Sequence, residues 1–380
     1  MEYLASIGLI LISTLILGVL SQRIGMPAVV GEILAGLLLG PAVLHLVNLN
    51  HMVSVGSEIG VIFLMFIAGL ECDFDLVKKY LKPAFSVAIC GVILPVLAFT
   101  LYGQILGQGI EKALFWGVIF SATSVSISVE VLQEFGKLKS VAGATILGAA
   151  VVDDVISIVL LSIFSSVFGT GSGSKNLLVL FTWQILFFVL IILVIKWIAP
   201  WLMCLADMLP ANSAVSVVGI SICLLMAYLA EAANLSTVLG AFFAGIAIAR
   251  TPLRDQVIKS ANQVGYSFFI PIFFAAIGME MSFKGAFSST WIIVIVMTVL
   301  ALLTKWIGCG IGAKLTGLTW NEANVVGSGM VSRGEMALIV AQIGLASHLL
   351  APELYSEIIM VIVLSTILSP IMLKFSIKSV

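Results

Sequence analysis

Charge is scarce in this chain. Its 380 residues hold 18 Lys and Arg and 19 Asp and Glu, 10% charged against 61% hydrophobic, with a mean hydropathy of +1.23. Soluble domains carry roughly a quarter charged residues, so a water-facing globular protein is excluded. A net charge of −1 gives no reason to expect a nucleic-acid partner. Histidine is rarer still. His45, His51 and His348 lie at or near loop ends and never form an HExxH spacing, which removes a metalloprotease helix. The cysteines Cys72, Cys90, Cys204, Cys223 and Cys309 are scattered and make no CxxC pair, so neither a metal site nor a disulfide framework is indicated. No resident cofactor is expected, and the chain does not read as an enzyme. The strand alternation of a membrane barrel is missing as well. The first apolar segment, EYLASIGLILISTLILGVLSQRIG, lacks a basic n-region and a small-residue cleavage site, so it reads as a retained span and not a signal peptide. No polar domain follows the last apolar run, so no soluble regulatory domain is expected.

What is abundant is long apolar sequence. It reads as an all-α polytopic membrane protein in a lipid bilayer, because only helices or closed barrels satisfy every backbone group in lipid. Thirteen candidate helices fall near 3–21, 28–47, 55–71, 83–106, 111–134, 139–168, 177–204, 213–231, 235–250, 262–280, 288–314, 320–347 and 354–377. The segments 55–71 and 235–250 are short for a full crossing. Loop charge orients the set. One alternating group of loops carries thirteen basic residues, from Arg23 to Lys378, while the other carries only Lys112, Lys175 and Lys284. Basic loops stay in the cytoplasm, which puts the amino terminus outside and the carboxyl terminus inside.

Residues 83–168 and 288–377 each read as three helices, and the middle helix of each is interrupted by small and polar residues. The interruptions are SATSVSIS at 121–128 and GSGMVSRGEM at 327–336. The two triplets start seven helices apart, so they enter the membrane in opposite directions. Inverted repeats with paired discontinuous helices are the sequence pointer to a secondary transporter. The alternative is that these small residues only allow close helix packing. Gly31, Gly36 and Gly40, in VVGEILAGLLLGP, read as packing glycines of that kind.

Against so little charge, two adjacent carboxylates stand out. Asp153 and Asp154 lie in AGATILGAAVVDDVISIVLLSIF, with Lys139 the nearest charge before them and Lys175 the nearest after. An acid at that depth costs several kcal/mol by insertion scales of about 3 kcal/mol per charge, and usually marks an ion or proton pathway. The alternative is an interhelical salt bridge that only holds the bundle together. Lys305, in ALLTKWIGCGIG, has no acidic neighbour on its own helix and needs a partner from another one. Adjacent helical residues point about 100° apart, so one aspartate can face Lys305 while the other faces a cavity. A poorly solvated carboxylate holds either a proton or a small cation, and that competition is enough to couple their movement. The two carboxylates and the ammonium would titrate as a set. Glu130, Arg333 and Glu335 stand at or just after the interruptions and read as structural charges, with Glu130 a possible partner for the other two.

Other classes stay open at this level. An intramembrane aspartyl protease needs two carboxylates that face each other, and neighbours on one helix diverge. An uncoupled cation channel and a sodium-coupled solute symporter both fit the scaffold in part, although no aromatic or polar cluster specifies an organic solute.

AVVDDVI, the preceding SATSVSISVEVLQEFGKL, LLTKWIG and GMVSRGEMALIVAQ together resemble the monovalent cation:proton antiporters. The resemblance is to the bacterial NapA/GerN-type branch, related to NhaA and Kef proteins. It runs through essentially the whole chain and includes VGEILAGLLLGP and FFIPIFFAAIGMEMSF. It implies a thirteen-helix fold in the bacterial inner membrane, a homodimer whose chain has a dimerisation domain and a mobile core domain. By that resemblance 1–82 and 213–287 would be scaffold and dimerisation helices, 169–212 a linker helix, and 83–168 with 288–380 the ion-translocating core. The implied activity is electrogenic exchange of Na+ (or Li+, with K+ an alternative) for H+ by an elevator-like movement. Asp154 would bind the cation, Asp153 would pair with Lys305, and Thr123 and Ser124 would line the ion site. NhaA-like members carry an aspartate where Ser124 stands, so NhaA-style strong pH sensing is not implied. Kef-like members have glutamine before the aspartate and a nucleotide-binding domain; with neither motif here, glutathione-gated potassium efflux is not implied either.

Overall fold

Apolar runs this long fold as helices because each backbone donor finds its acceptor within its own segment. A computed structural model describes residues 2–168, 177–211, 213–280, 291–346 and 349–378, and the regular elements among them are helical. Lys175, Lys284 and His348 lie outside the described residues. In chain order the α-helices are α1 (Glu2–Arg23), α2 (Ala28–Leu39), α3 (His51–Glu71), α4 (Phe74–Lys79), α5 (Leu81–Ile105), α6 (Ile110–Ser121), α7 (Val125–Glu134), α8 (Val141–Phe168) and α9 (Leu177–Leu193). They continue with α10 (Ala199–Asp207), α11 (Ala214–Ala232), α12 (Thr237–Ala249), α13 (Arg254–Val264), α14 (Ile270–Met279), α15 (Trp291–Leu315), α16 (Trp320–Gly329), α17 (Glu335–Ala346) and α18 (Pro352–Lys378). Among the described residues, nine helical runs are long and apolar enough to cross a membrane.

Two boundaries depart from the sequence reading. The helix expected over 28–47 stops at Leu39. Gly40 is extended and precedes Pro41, and a residue before proline is steered away from helical geometry. The amides of Leu44, Leu46 and Val47 fold back onto the carbonyls of Leu38 and Leu39 instead. The helix expected from residue 262 begins at Arg254, where polar residues extend the apolar run backwards. Val257 and Ala261 are fully buried on that polar stretch, and Val257 packs close to Gly219. Short π-helical segments, Val194–Ile198 and Gly265–Phe269, join α9 to α10 and α13 to α14.

The chain divides into two compact units. One comprises Met1–Asn50, Leu76–Ser174 and Phe274–Val380; the other comprises His51–Asp75 and Lys175–Phe273. The second unit is built on α3, α11, α12 and α13. Within it, Arg254 donates to the carbonyl of Leu70 at 2.7 Å, tying the start of α13 to the end of α3.

The first unit holds both three-helix segments, α5 to α8 and α15 to α18. Its apolar core is built from Phe99, Phe115, Trp116, Phe120, Met297, Ala301, Ala337 and Val361, contributed by α5, α6, α15, α17 and α18. Phe99 and Phe120 stack with ring centroids 4.2 Å apart. The helices α5 and α15 approach so closely that a Cβ on Gly312 would lie 2.6 Å from the Ser86 carbonyl oxygen. The Ser86 hydroxyl donates to the Gly312 carbonyl at 2.8 Å across the same contact. That approach carries Lys305, one helical face along α15, into the interior. In α2, Gly36 meets the Ala275 carbonyl with no room for a side chain, which is a packing role.

Candidate functional site

The site is built around two places where helices stop inside apolar sequence. The first lies between α6 and α7, where Ala122 and Ser124 are extended. The second lies between α16 and α17, over residues 330–334. The two interruptions touch. The Ser124 amide donates to the Ser332 carbonyl at 2.9 Å, and the Ser332 hydroxyl donates back to the Ser124 carbonyl. Ser128 donates to the Gly329 carbonyl, and Thr366 of α18 donates to the Arg333 carbonyl. Gly334 is needed at this crossing, because a Cβ there would lie 2.6 Å from Ser124 Cβ.

A helix that ends in an apolar interior leaves carbonyls unpaired and the negative end of its dipole exposed. At the end of α6 these carbonyls are met mostly by cations. Arg333 donates to the carbonyls of Phe120 and Ala122, and also to Ala301 of α15 at 2.9 Å. Lys305 donates to the Ser121 carbonyl, and the Ser121 hydroxyl covers Val118 at 2.8 Å. The Arg333 guanidinium also lies over the Phe120 ring, 5.5 Å from its centroid. Both cations are fully buried. The described hydrogen bonds of Arg333 thus go to three backbone carbonyls. Glu130 is half-buried further along α7, and the side chain of Glu335 lies outside what the structure describes.

Lys305 makes a second contact. Its Nζ lies 3.3 Å from Asp153 Oδ1, with the two side chains 0% and 1% exposed. The other oxygen, Asp153 Oδ2, has no hydrogen-bond partner. One ammonium thus joins the broken end of α6 to the acid on α8. Asp154, the next residue of α8, is only half-buried. The paired and the more accessible carboxylate therefore sit side by side on one helix with different surroundings. Thr123 is buried between Ala122 and Ser124, and its Oγ1 has no partner. The structure so brings Asp153, Lys305, Arg333, Thr123 and Ser124 to one region. It also adds Ser157, one turn beyond the aspartates, buried and with its hydroxyl unpartnered. Nothing in its residue type singles it out in sequence.

A buried acid–ammonium pair beside two crossed helix interruptions and unpaired hydroxyls is the arrangement of an ion-coupled secondary transporter. The chain belongs to the sodium/hydrogen exchanger family: the model of that family, described as sodium/hydrogen exchanger, transmembrane, matches residues 9–378. It is 47% identical to a Na(+)/H(+) antiporter of Enterococcus hirae, over 100% of this chain and 99% of that protein. It is 39% identical to the Na(+)/H(+)-K(+) antiporter GerN of Bacillus cereus, over 99% of this chain and 96% of that protein. Its fold matches the sodium proton antiporter MjNhaP1 of Methanocaldococcus jannaschii with a TM-score of 0.74, at 15% identity, over 99% of this chain and 97% of that one.

Proposed function

We propose that this protein is a secondary antiporter that exchanges Na+ or Li+ for H+ across a bacterial cytoplasmic membrane. The observation that carries the reading is the buried Lys305–Asp153 pair, placed where the interrupted helices cross and next to the more accessible Asp154. The relatives named as Na(+)/H(+) antiporters support sodium as the cation. In this mechanism Asp154 holds the alkali cation or a proton, never both. Asp153 and Lys305 exchange their mutual contact for a proton when the site changes sides.

The same reading gives thirteen crossings, two of them discontinuous at 122–124 and 330–334, and an orientation with the amino terminus outside. Both triplets fall in one compact unit, which supports their acting together as the translocating core. The remaining helices are read as scaffold for a homodimer, and the core as moving in an elevator-like, electrogenic cycle. Potassium is the second candidate cation, favoured by the likeness to GerN, a Na(+)/H(+)-K(+) antiporter by name.

The test is flux in proteoliposomes holding an imposed pH gradient. Sodium or lithium added to the purified protein should collapse the gradient, and choline should not. If no alkali cation moves protons at any pH, the antiport reading fails.

A further inference from the structure

Hydroxyls inside apolar helices have a default partner, the carbonyl one turn back. This chain uses it repeatedly. Thr14 bonds to Ile10, Thr100 to Val96, Thr145 to Val141 and Thr298 to Val294, at 2.6–2.8 Å. Ser157 does not. It is 4% exposed, and its Oγ has no hydrogen-bond partner at all. Leaving a buried hydroxyl unpaired costs about 1–3 kcal/mol, so an unpaired one beside charged groups points to a ligand.

Its position on α8 is specific. By helical geometry Ser157 lies roughly 40° round the axis from Asp153 and 60° from Asp154, between the two, and about 4.5–6 Å further along. Side chains on a helix lean toward its amino-terminal end, so the hydroxyl of Ser157 leans back toward the aspartates. Other oxygens at the interruption and on α8 also lack partners: Thr123 Oγ1, Ser126 Oγ in the first turn of α7, and Asp153 Oδ2, of which Thr123 and Asp153 belong to the elements that Lys305 ties together. The Lys305 ammonium bridges Ser121 and Asp153, which holds the segment carrying Thr123 against this part of α8. Hard cations take several oxygen ligands, and one carboxylate cannot supply them alone.

We propose that Ser157 Oγ is a direct ligand of the transported cation, completing with Thr123 Oγ1 a shell around the Asp154 carboxylate, and that it sets preference among alkali cations. This rests on the antiport reading above. A neutral hydroxyl contributes no charge to the site, so it acts on cation fit and not on proton coupling. A serine that only filled space would leave cation affinity untouched.

The experiment measures KM and maximal rate for Li+, Na+ and K+ in proteoliposomes of wild type, Ser157→Ala, Ser157→Cys and Ser157→Thr. Loss of one hydroxyl ligand to a charged group should raise KM by about tenfold in Ser157→Ala. The change in KM should exceed the change in maximal rate, and the ratio of the three KM values should shift. Ser157→Thr keeps the hydroxyl and should return KM toward the wild-type value. Ser157→Cys keeps the volume with a poorer oxygen-site donor, so it reads the same loss should the alanine variant not fold. Unchanged KM for all three cations in the alanine or cysteine variant would overturn the ligand assignment while leaving antiport intact. A wild type that exchanges no cation for protons would instead refute the antiport reading on which it stands.

Discussion

Removing the Lys305 side chain should destabilise the protein more than any surface change. The ammonium and the Asp153 carboxylate are both buried, and the same ammonium covers the Ser121 carbonyl at the end of α6. Lys305→Ala leaves a buried carboxylate without its cation, an effect of about 3–5 kcal/mol. Asp153→Asn leaves the ammonium facing a neutral amide and costs less, because its bond to Ser121 survives. The double variant Asp153→Asn/Lys305→Ala carries neither charge. It should be more stable than the sum of the single effects predicts, by about 2 kcal/mol of coupling. Thermal unfolding in one detergent reads this directly. For a chain larger than 250 residues a kcal/mol corresponds to about 2 °C, so Lys305→Ala should melt roughly 6–10 °C below wild type. Additive single effects, or a Lys305→Ala variant that melts with wild type, would refute the pairing as an energetic unit.

Two other predictions follow from the same geometry. Gly334→Ala places a Cβ against Ser124, where it must shift the crossed interruptions; overpacking of about 1–3 kcal/mol and slower exchange are expected, checked by melting and by flux. If proton and cation share Asp154, the apparent KM for Na+ should rise as pH falls while the maximal rate at saturating Na+ changes less. A KM independent of pH would rule out a shared carboxylate.

The charged residues were legible in the sequence because lipid makes charge expensive: Asp153, Asp154, Lys305 and Arg333 stand alone in apolar runs and draw notice without any structure. What each one touches was less legible. Arg333 reads as a structural charge at the interruption, but its bonds to the carbonyls of Phe120, Ala122 and Ala301 depend on where α6 ends in space. Ser157 gives no signal, since many hydroxyls in these helices bond to their own turn and nothing in the sequence marks those that do not, Ser157 among them. The π-helical segments at Val194–Ile198 and Gly265–Phe269 each lie two residues before a proline, Pro200 and Pro271, so a breaker is visible in the sequence but not the way the helix widens to accommodate it. The early stop of α2 was readable from Gly40 and Pro41, but the apolar residues beyond them mask it by continuing the hydrophobic run.

The most direct test of the central claim compares wild type with Asp154→Asn in proteoliposomes under an imposed pH gradient. The account predicts that sodium collapses the gradient for wild type and leaves it standing for the variant, with the variant still folded by its melting profile. Sodium-driven proton movement retained in a folded Asp154→Asn protein would contradict it.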